Sequence, residues 1–295
     1  MRSDFRIRPA RPQDKEAVLE FTRHTWGEEN GDYIPEVWDA WLADRQGRFL
    51  VAELEGRPVG IGKVTLQGEG ECWLEGLRVA PQYRGSGIAH TLQLEATKVA
   101  RELGAHIVRF ATASWNEAVQ HMAQEDGFSR VARFAYYEAA PDPDQAGRRA
   151  REPFVLEERV LPALRRASHE SQYLLASQGL YAIGWSWRAL SVERLRQHLK
   201  KGEILAYIGP GGGVDAWAIL TSPWGSSAAW VSFLDGAPAA VEELSQIVRG
   251  RAGRAAAKEV QAMFPIDWEH LPLLEELGYQ REMDAELWVF EQRFA

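Results

Sequence analysis

The segment Leu77-Arg-Val-Ala-Pro-Gln-Tyr-Arg-Gly-Ser-Gly-Ile-Ala89 joins two different periodic patterns through a pair of glycines. Cys72 to Val79 is typical of a strand, and apolar residues recur every three or four positions from Ile88 to Leu103, which predicts a helix. Gly85 and Gly87 let the backbone approach a ligand closely, because they carry no Cβ atom. Successive N–H groups at a helix N-terminus attract anions, so the segment predicts a phosphate-binding turn, although a glycine pair alone is also compatible with a plain tight turn.

The rest of the first half predicts an α/β unit of about 140 residues. Glu55-Gly56-Arg57 is typical of a hairpin turn between two strands. Strands are predicted at Phe5–Arg8, Phe49–Leu54, Pro58–Leu66, Ile107–Ala111 and Val131–Glu138, with helices from Pro12, at Pro35–Ala43 and at Asn116–Glu125.

The second half repeats this order of elements. Asn116 precedes Gly127-Phe128 by the same eleven positions that separate Asp267 from Gly278-Tyr279, each time across a short helix. A duplicated domain explains this spacing, although helix ends of this composition also arise by chance. We predict domains at residues 1–140 and 154–295, joined by a linker at 141–153 whose proline, glycine and charge content is typical of linkers.

The composition restricts the class of protein. A hydrophobic fraction of 45% can fill a core, and a formal net charge of −8 argues against a general nucleic-acid binder. Cys72 is the only cysteine, so no internal disulfide can form, and no stretch is long and apolar enough to cross a membrane. We therefore expect a cytoplasmic protein without nucleic-acid or membrane partners. The seven histidines show no paired metal-ligand spacing, so no metal is expected.

With Asn116 and Gly127-Phe128 downstream, the region of the glycine turn resembles the GCN5-related N-acetyltransferase (GNAT) family. The family pattern is Gln or Arg, two residues, Gly, one residue, then Gly or Ala, and Gln82, Gly85 and Gly87 match it. The resemblance covers about residues 4 to 139. It implies an α/β (α+β) fold of two tandem GNAT-like domains, each with a mixed, mainly antiparallel sheet flanked by helices.

The resemblance also implies acetyl-coenzyme A as cosubstrate. The pyrophosphate would contact backbone amides from Arg84 to Ala89. Leu77 and Val79 would bind the acyl-pantetheine arm where the strand is splayed by a bulge, and Asn116 would hold the pantetheine or assist the leaving sulfur. The residues expected to bind the cosubstrate are Leu77, Arg78, Val79, Gln82, Arg84, Gly85, Ser86, Gly87, Ile88, Ala89 and Asn116.

Amide formation needs a base and an oxyanion donor, because an amine with a pKa of about 10 must lose its proton before it attacks a thioester. The amide of Val79 is the expected donor. Glu75 matches a position where relatives often carry a working carboxylate, although a solvated strand carboxylate is the alternative. Many relatives have a tyrosine that protonates the departing thiolate at the position where this chain has Ala123. Tyr136 or Tyr137 could replace it, unless both only pack in their strand, and water or direct thiolate release would also serve.

Trp26, Glu28, Glu29, Asp32 and Tyr33 form an acidic, aromatic loop where the family usually binds its acceptor. Such residues suit a cationic amine of a small molecule or peptide, although an exposed loop without a ligand has the same composition. The sequence does not identify the acceptor.

The second half lacks the glycine turn and has Phe233-Leu-Asp-Gly-Ala-Pro-Ala239 instead, with Asp235 placed to repel a pyrophosphate. We interpret it as a degenerate copy, so that the chain is a monomeric pseudo-dimer or a homodimer. Its seven tryptophans are expected to fill a core and the interface between the halves. The alternative to an enzyme is a non-catalytic acyl-coenzyme A binding or scaffold protein, and transfer to a hydroxyl or of a longer acyl group also stays open.

Overall fold

The computed structural model describes residues 5–25, 31–144, 154–155, 158–208, 212–222 and 228–294. The chain forms two compact units, and neither is a single contiguous segment. The first comprises Met1–Ala111, Ala118–Ser129 and Phe290–Ala295, and the second comprises Thr112–Glu117 and Arg130–Val289. The contiguous division into 1–140, 141–153 and 154–295 stays a prediction, and most of its linker lies outside the described residues.

The first unit is built from short helices around a sheet. Its strands are β1 (Arg6–Pro9), β2 (Arg48–Leu54), β3 (Arg57–Gly68), β4 (Glu71–Val79) and most of β5 (Ile107–Ala113). Its helices are α1 (Lys15–Thr22), α2 (Ile34–Ala43), α3 (Ile88–Glu102) and most of α4 (Glu117–Glu125). The predicted hairpin turn is present at Glu55 and Gly56, whose φ angles of 50° and 81° give the backbone twist that favours two-residue hairpins.

The sheet of the first unit has the strand order β1-β2-β3-β4-β5, followed by residues 290–293 of the last strand, β15 (Leu287–Arg293). All neighbours from β1 to β4 are antiparallel, whereas β4 and β5 are parallel and are connected through α3. The helices α1 and α2 cover one part of this sheet with an apolar core. That core consists of Val18, Ile34, Trp38, Trp41, Phe49, Val51 and Ile61.

The second unit contains the remaining elements. Its strands are β6 (Ser129–Ala139), β7 (Phe154–Val155), β8 (Leu180–Ile183), β9 (Ser186–Ala189), β10 (Ile204–Ile208), β11 (Val214–Thr221), β12 (Ala229–Gly236), β13 (Val260–Pro265), β14 (Tyr279–Arg281) and the first half of β15. Its helices are α5 (Leu161–Glu170), α6 (Gln172–Ala176), α7 (Val192–Lys201), α8 (Pro238–Arg254) and α9 (Leu271–Glu276).

The main sheet of the second unit has the order β6-β13-β12-β11-β10-β7, and β8 and β9 form a separate pair. Its parallel neighbours β12 and β13 are connected through α8, as β4 and β5 are connected through α3. Gly278, with a φ of 91°, ends the segment after α9 and Tyr279 begins the next strand, as the repeat predicts. The mixed, mainly antiparallel sheet flanked by helices is therefore confirmed in each unit.

Four of the seven tryptophans in the second half are buried in the core of the second unit: Trp187, Trp217, Trp230 and Trp268. Trp185 is 42% exposed and Trp288 is half-buried, so these two differ from the predicted core role. Trp224 lies outside the described residues. The core prediction thus holds for these four tryptophans, and the expected role of the others at an interface stays a prediction.

Candidate functional site

Strand β4 carries a bulge in the middle of its pairing with β3. Lys63 pairs with Glu75 and Ile61 with Arg78, so Gly76 and Leu77 of β4 together face the single residue Gly62. Gly76 has a φ of 66°, and a Cβ atom there would lie 2.4 Å from a ring carbon of Trp41. The predicted bulge is therefore present, and it depends on Gly76, which sequence reasoning did not single out. A glycine inside an otherwise apolar strand is the signal that could have identified it.

Beyond this bulge, the backbone of Val79 faces away from β3. The amide of Ala80 donates to the carbonyl of Val59 at 2.9 Å, and bonded and non-bonded pairs alternate along an antiparallel ladder. Val79, which lies opposite Gly60, therefore directs its N–H and C=O groups to the other side. The pairing of β4 with β5 extends only from Glu71 to Trp73. The amide of Val79 lies beyond this pairing.

The glycine turn follows directly. Its φ angles are 75° at Gly85 and 84° at Gly87, the left-handed region that glycine adopts without strain. A Cβ atom added at either glycine would meet no other atom within 4 Å, so the space beside the turn is open. A hydrogen bond within the turn stabilises its conformation, because the hydroxyl of Ser86 donates to the carbonyl of Tyr83 at 2.5 Å.

Helix α3 begins at Ile88, as predicted, with Gly87 as its N-cap residue. The first amides of a helix have no acceptor within it, and together with the helix dipole they favour an anion. Ile88 is buried, whereas Gln82, Arg84, Gly85, Ser86 and Gly87 are exposed. Arg84 Nε donates to the carbonyl of Val79 at 3.4 Å, so its guanidinium lies beside the turn. The open, exposed backbone at this helix start fits a phosphate group.

Glu75, the predicted base, is half-buried on β4 one residue before the bulge. Its carboxylate accepts a hydrogen bond of 2.5 Å from the hydroxyl of Thr65. Its partner residue across the ladder, Lys63, is buried and donates instead to Asp44 at 2.5 Å. Thr65 was not among the predicted site residues. The sequence shows a hydroxyl residue two positions after Lys63 on the neighbouring strand. Only the register of the bulged strand pair shows that this hydroxyl reaches Glu75.

The described part of the predicted acceptor loop lies beside this strand. The carboxylate of Asp32 is fully buried and accepts from Arg78 Nε at 2.8 Å, and the guanidinium of Arg78 lies 5.4 Å from the ring centre of Tyr33. Burial raises the pKa of Tyr33, against the opposing effect of the Arg78 charge, so its phenol stays protonated at neutral pH. Asp32 is thus neutralised by Arg78. Trp26, Glu28 and Glu29 lie outside the described residues.

Asn116 belongs to the second unit and immediately precedes α4. Its side-chain amide donates to the hydroxyl of Thr112 at 3.0 Å, which fixes its orientation. Ala123 is fully buried in α4. Tyr136 and Tyr137 are also buried, and their hydroxyls donate to Glu138 and Glu275 respectively. Burial and the carboxylate of Glu275 raise the pKa of Tyr137 to about 12.

The corresponding segment of the second unit has a different design. Strand β12 runs into α8 with only Ala237 between them, so no glycine turn is formed. Asp235 is 3% exposed and accepts hydrogen bonds from the hydroxyl of Ser171, the amide of Tyr173 and the indole of Trp268. Its carboxylate is therefore a structural group in the core.

The described parts of the chain contain neither a cluster of metal-ligating side chains nor a membrane-spanning helix. No group of three or more His, Cys, Asp or Glu side chains among these residues could hold a metal ion. None of the described helices is long and apolar enough to span a membrane.

Comparison with known proteins places the first half in a large group of acetyltransferases. The sequence model of the acetyltransferase (GNAT) family matches residues 15–128. Aminoglycoside N(6′)-acetyltransferase type 1 of Stenotrophomonas maltophilia is 30% identical over 148 residues, which cover 46% of this chain and 94% of that protein. Histidine N-acetyltransferase of Oreochromis niloticus is 33% identical over 84 residues, which cover 28% of this chain but only 24% of that protein.

A solved structure extends the similarity to the whole chain. A tandem GNAT protein from the clavulanic acid biosynthesis pathway superposes with a TM-score of 0.57 at 14% identity, covering 98% of both chains. At this identity the likeness concerns the fold. It shows that the chain has the fold of two tandem GNAT-like domains in one polypeptide.

Proposed function

Because the chain belongs to the acetyltransferase (GNAT) family, we propose that it transfers an acetyl group from acetyl-coenzyme A to a primary amine. The family membership and tandem fold predicted from the sequence are confirmed. The proposed activity rests on one continuous stretch of backbone. It comprises β4 with its bulge at Gly76, the amide of Val79 that faces away from β3, and the open turn at Gly85 and Gly87.

In this proposal each part of the path has one task. The amides from Arg84 to Ala89 bind the pyrophosphate at the start of α3, where the helix dipole adds to their attraction. Gln82 and Arg84 flank the turn. The main chain of Leu77, Arg78 and Val79 holds the acyl-pantetheine arm, because the bulge turns the backbone of β4 away from β3. Asn116 contributes a contact to the pantetheine.

Glu75 is the proposed base. Its carboxylate takes the proton of the acceptor amine, and Thr65 orients it through their short hydrogen bond. The amine then attacks the thioester carbonyl directly, in a ternary complex. The amide of Val79 donates to the oxyanion that develops. In other enzymes, removal of one such donor raises the activation free energy by about 3 kcal/mol.

No tyrosine is proposed as general acid. Ala123 has no ionisable group, and Tyr136 and Tyr137 already donate their protons to carboxylates. A thiol with a pKa near 8.5 is a fair leaving group, so the thiolate departs without a protein acid and takes its proton from water.

The acceptor is proposed to be an amine of a small molecule or peptide. We propose that the loop containing Trp26, Glu29, Asp32 and Tyr33 holds it beside β4. The names of both relatives specify acetylation of nitrogen on a small molecule, histidine or an aminoglycoside. Asp32 supports the site indirectly in this proposal, because its charge is already paired with Arg78. We further propose a cytoplasmic monomer or homodimer.

Calorimetric titration with acetyl-coenzyme A tests this proposal. Gly85→Glu places a carboxylate where the phosphates are expected and should abolish binding. Gly56→Glu is the matched control, because Gly56 has a similar φ of 81°, equally open surroundings and a place in the hairpin turn between β2 and β3. Absence of binding by the wild type, or equal binding by both variants, would overturn the proposed site.

Release of free thiol in the presence of amines then separates an enzyme from a binding protein. A panel of amino acids, aminoglycosides and peptides should include at least one amine that releases coenzyme A from the wild type. Binding of acetyl-coenzyme A without thiol release from any amine would favour the non-catalytic alternative.

A further inference from the structure

The second unit contains a surface cavity of about 260 Å³ that the proposed acetyl transfer does not use. Its wall includes Arg130 and Arg133 at the start of β6, Gln178 after α6 and Asp267 after β13. Residues that carry two guanidinium groups, an amide and a carboxylate therefore line one small volume. Their charges decide what the cavity can accept.

The two arginines differ in their partners. Arg133 Nη2 donates to both carboxylate oxygens of Asp267, at 2.9 and 3.0 Å, and its Nη1 lies 3.9 Å from Glu286. Arg133 is thus neutralised, and it also holds the carboxylate of Asp267. Arg130 has no carboxylate partner among the residues that the structure describes. Arg130, Arg133, Asp267 and Glu286 together carry no net charge, but among the described residues Arg130 is the one of these four without a partner of opposite charge within ion-pair distance.

Arg130 is held in place by an aromatic ring. Its guanidinium carbon lies 4.1 Å from the ring centre of Trp288, and the indole N–H of Trp288 donates to Glu286 at 2.7 Å. The ring is therefore fixed, and contact with an aromatic face favours a guanidinium. A guanidinium carries five N–H donors in a planar fork that matches a carboxylate or a phosphate. Stacking on Trp288 leaves these donors available for a ligand.

Gln178 occupies an unusual backbone position at the same cavity. Its φ of 55° lies in the left-handed region, which costs a non-glycine residue roughly 1 kcal/mol. The next residue, Gly179, is also left-handed, with a φ of 79°, and its amide donates to the carbonyl of Leu174 at 2.7 Å. This conformation ends α6 and places Gln178 at the wall of the cavity. Its side-chain nitrogen donates to the carbonyl of Leu175 at 3.5 Å, a long hydrogen bond that leaves the amide oxygen and a second N–H as further polar groups of this residue.

We infer that this cavity binds a small oxyanion, a carboxylate or phosphate group, between Arg130 and Gln178. The guanidinium of Arg130 supplies the charge and the paired donors. The volume limits the bound portion to a small group, because pockets for drug-sized ligands begin at about 300 Å³. Arg133 positions Asp267, and Glu286 positions Trp288.

The test uses the full chain with the substitution Gly85→Glu, so that phosphate bound at the proposed turn does not contribute. The protein is labelled with 5-fluorotryptophan, and the Trp288 signal is assigned with a Trp288→Phe variant. Inorganic phosphate and malonate are titrated separately at constant ionic strength, and the ¹⁹F shift of Trp288 is followed. We expect saturable movement with at least one of the two anions.

Arg130→Ala should weaken that binding about tenfold or more, because a hydrogen bond to a charged group contributes about 1.5 to 3 kcal/mol. Arg196→Ala is the matched control, because Arg196 is an exposed arginine of the second unit that is paired with Glu158 and Glu193. Movement with phosphate alone or malonate alone would support the site and identify its oxyanion. No saturable movement with either anion, or equal affinity in Arg130→Ala, would overturn the inference without affecting the proposed acetyl transfer.

Discussion

Glu75 and Thr65 are in hydrogen-bond contact across a strand pair, and this contact makes the role of the carboxylate testable. Glu75→Gln keeps the size of the side chain and removes its ability to take a proton. General-base catalysis typically contributes about 10²- to 10⁴-fold, so kcat with the best amine should fall by that factor while the dissociation constant for acetyl-coenzyme A stays the same. Steady-state kinetics and calorimetry measure the two quantities. The exposed Glu55, in the hairpin turn, provides the control Glu55→Gln, and an unchanged kcat in Glu75→Gln would exclude the base.

Both the backbone conformation and the packing at position 76 require glycine. Gly76→Ala introduces a Cβ atom 2.4 Å from Trp41 and forces a left-handed alanine. The strain and the overpacking together should lower the free energy of unfolding by about 2 to 4 kcal/mol. Gly56→Ala has the strain without the contact and should cost only about 1 kcal/mol. Urea denaturation of both variants gives the comparison, and equal losses would show that the contact with Trp41 is relieved elsewhere.

At the residue scale, local signals were predictable and distant partners were not. The glycine turn and the start of α3 at Ile88 follow from neighbouring residues, because backbone conformation and capping act within a few positions. The pair between Asp32 and Arg78 joins residues 46 positions apart, and no local pattern specifies it. Sequence reasoning therefore assigned Asp32 to the acceptor, whereas the structure shows its charge already paired.

Helix α7 contributes a buried histidine to a network that connects three elements. His198 Nε2 lies 2.7 Å from the hydroxyl of Tyr181 on β8, and its Nδ1 lies 2.6 Å from Glu203, just before β10. Burial lowers the pKa of His198 below its ordinary value, although Glu203 acts in the opposite direction. The unfolded chain thus takes up a proton near pH 6.5 that the folded chain does not bind until a lower pH.

This difference predicts how stability changes with pH. The contribution of a neutral His198 is fully present above about pH 7 and decreases as the pH falls below about 6.5. Urea unfolding at pH 7.5 and pH 5.5 should show a smaller loss of stability in His198→Gln than in the wild type. His121→Gln is the control, because His121 is an exposed residue of α4. A pH dependence that is identical in wild type and His198→Gln would contradict the prediction.

At the element scale, long periodic segments were predicted and short strands were missed. Helix α3 has an extended apolar stripe, which includes the buried residues Ile88, Leu92, Ala96 and Val99, and it begins at the predicted residue. The pair β8 and β9 was not predicted. Each has only four residues, and strands of that length contain too few alternations to be distinguished from a loop.

At the scale of the whole chain, the first unit depends on residues far from its own sequence. Arg109 is buried between Glu71, at 3.1 Å, and Glu291, at 2.6 Å, and Phe110 stacks on Phe290 with ring centres 5.4 Å apart. Without Glu291, Arg109 keeps Glu71 as a charged partner but loses the hydrogen bond of its buried Nε, and an unmade hydrogen bond of a buried charged group is costly. No sequence pattern in residues 1–140 indicates this requirement, because strand partners are not specified locally.

Glu291→Ala should therefore destabilise the first unit by about 1.5 to 3 kcal/mol and weaken acetyl-coenzyme A binding in proportion to the unfolded fraction. Arg293→Ala is the control, because the side chain of Arg293 is 72% exposed and pairs with the same carboxylate. Thermal unfolding followed by calorimetry measures both variants. If Glu291→Ala unfolds like the control, the contiguous division at residues 140 and 154 is the better description of the folding units.

The position of residues 290–294 also affects events during synthesis. Ser129 is the last earlier residue of the first unit, and about 160 further residues must be translated before Phe290 exists. At roughly 5 to 20 residues per second, the ribosome needs on the order of ten to thirty seconds for them. Throughout this interval β5 lacks its neighbour β15 and has an unpaired edge. Arg109, which is buried in the folded protein, also lacks Glu291. Chaperone engagement and the choice of codons after Ser129 should thus influence the yield of active protein, and a nonsense change before the codon of Phe290 should impair the N-terminal half.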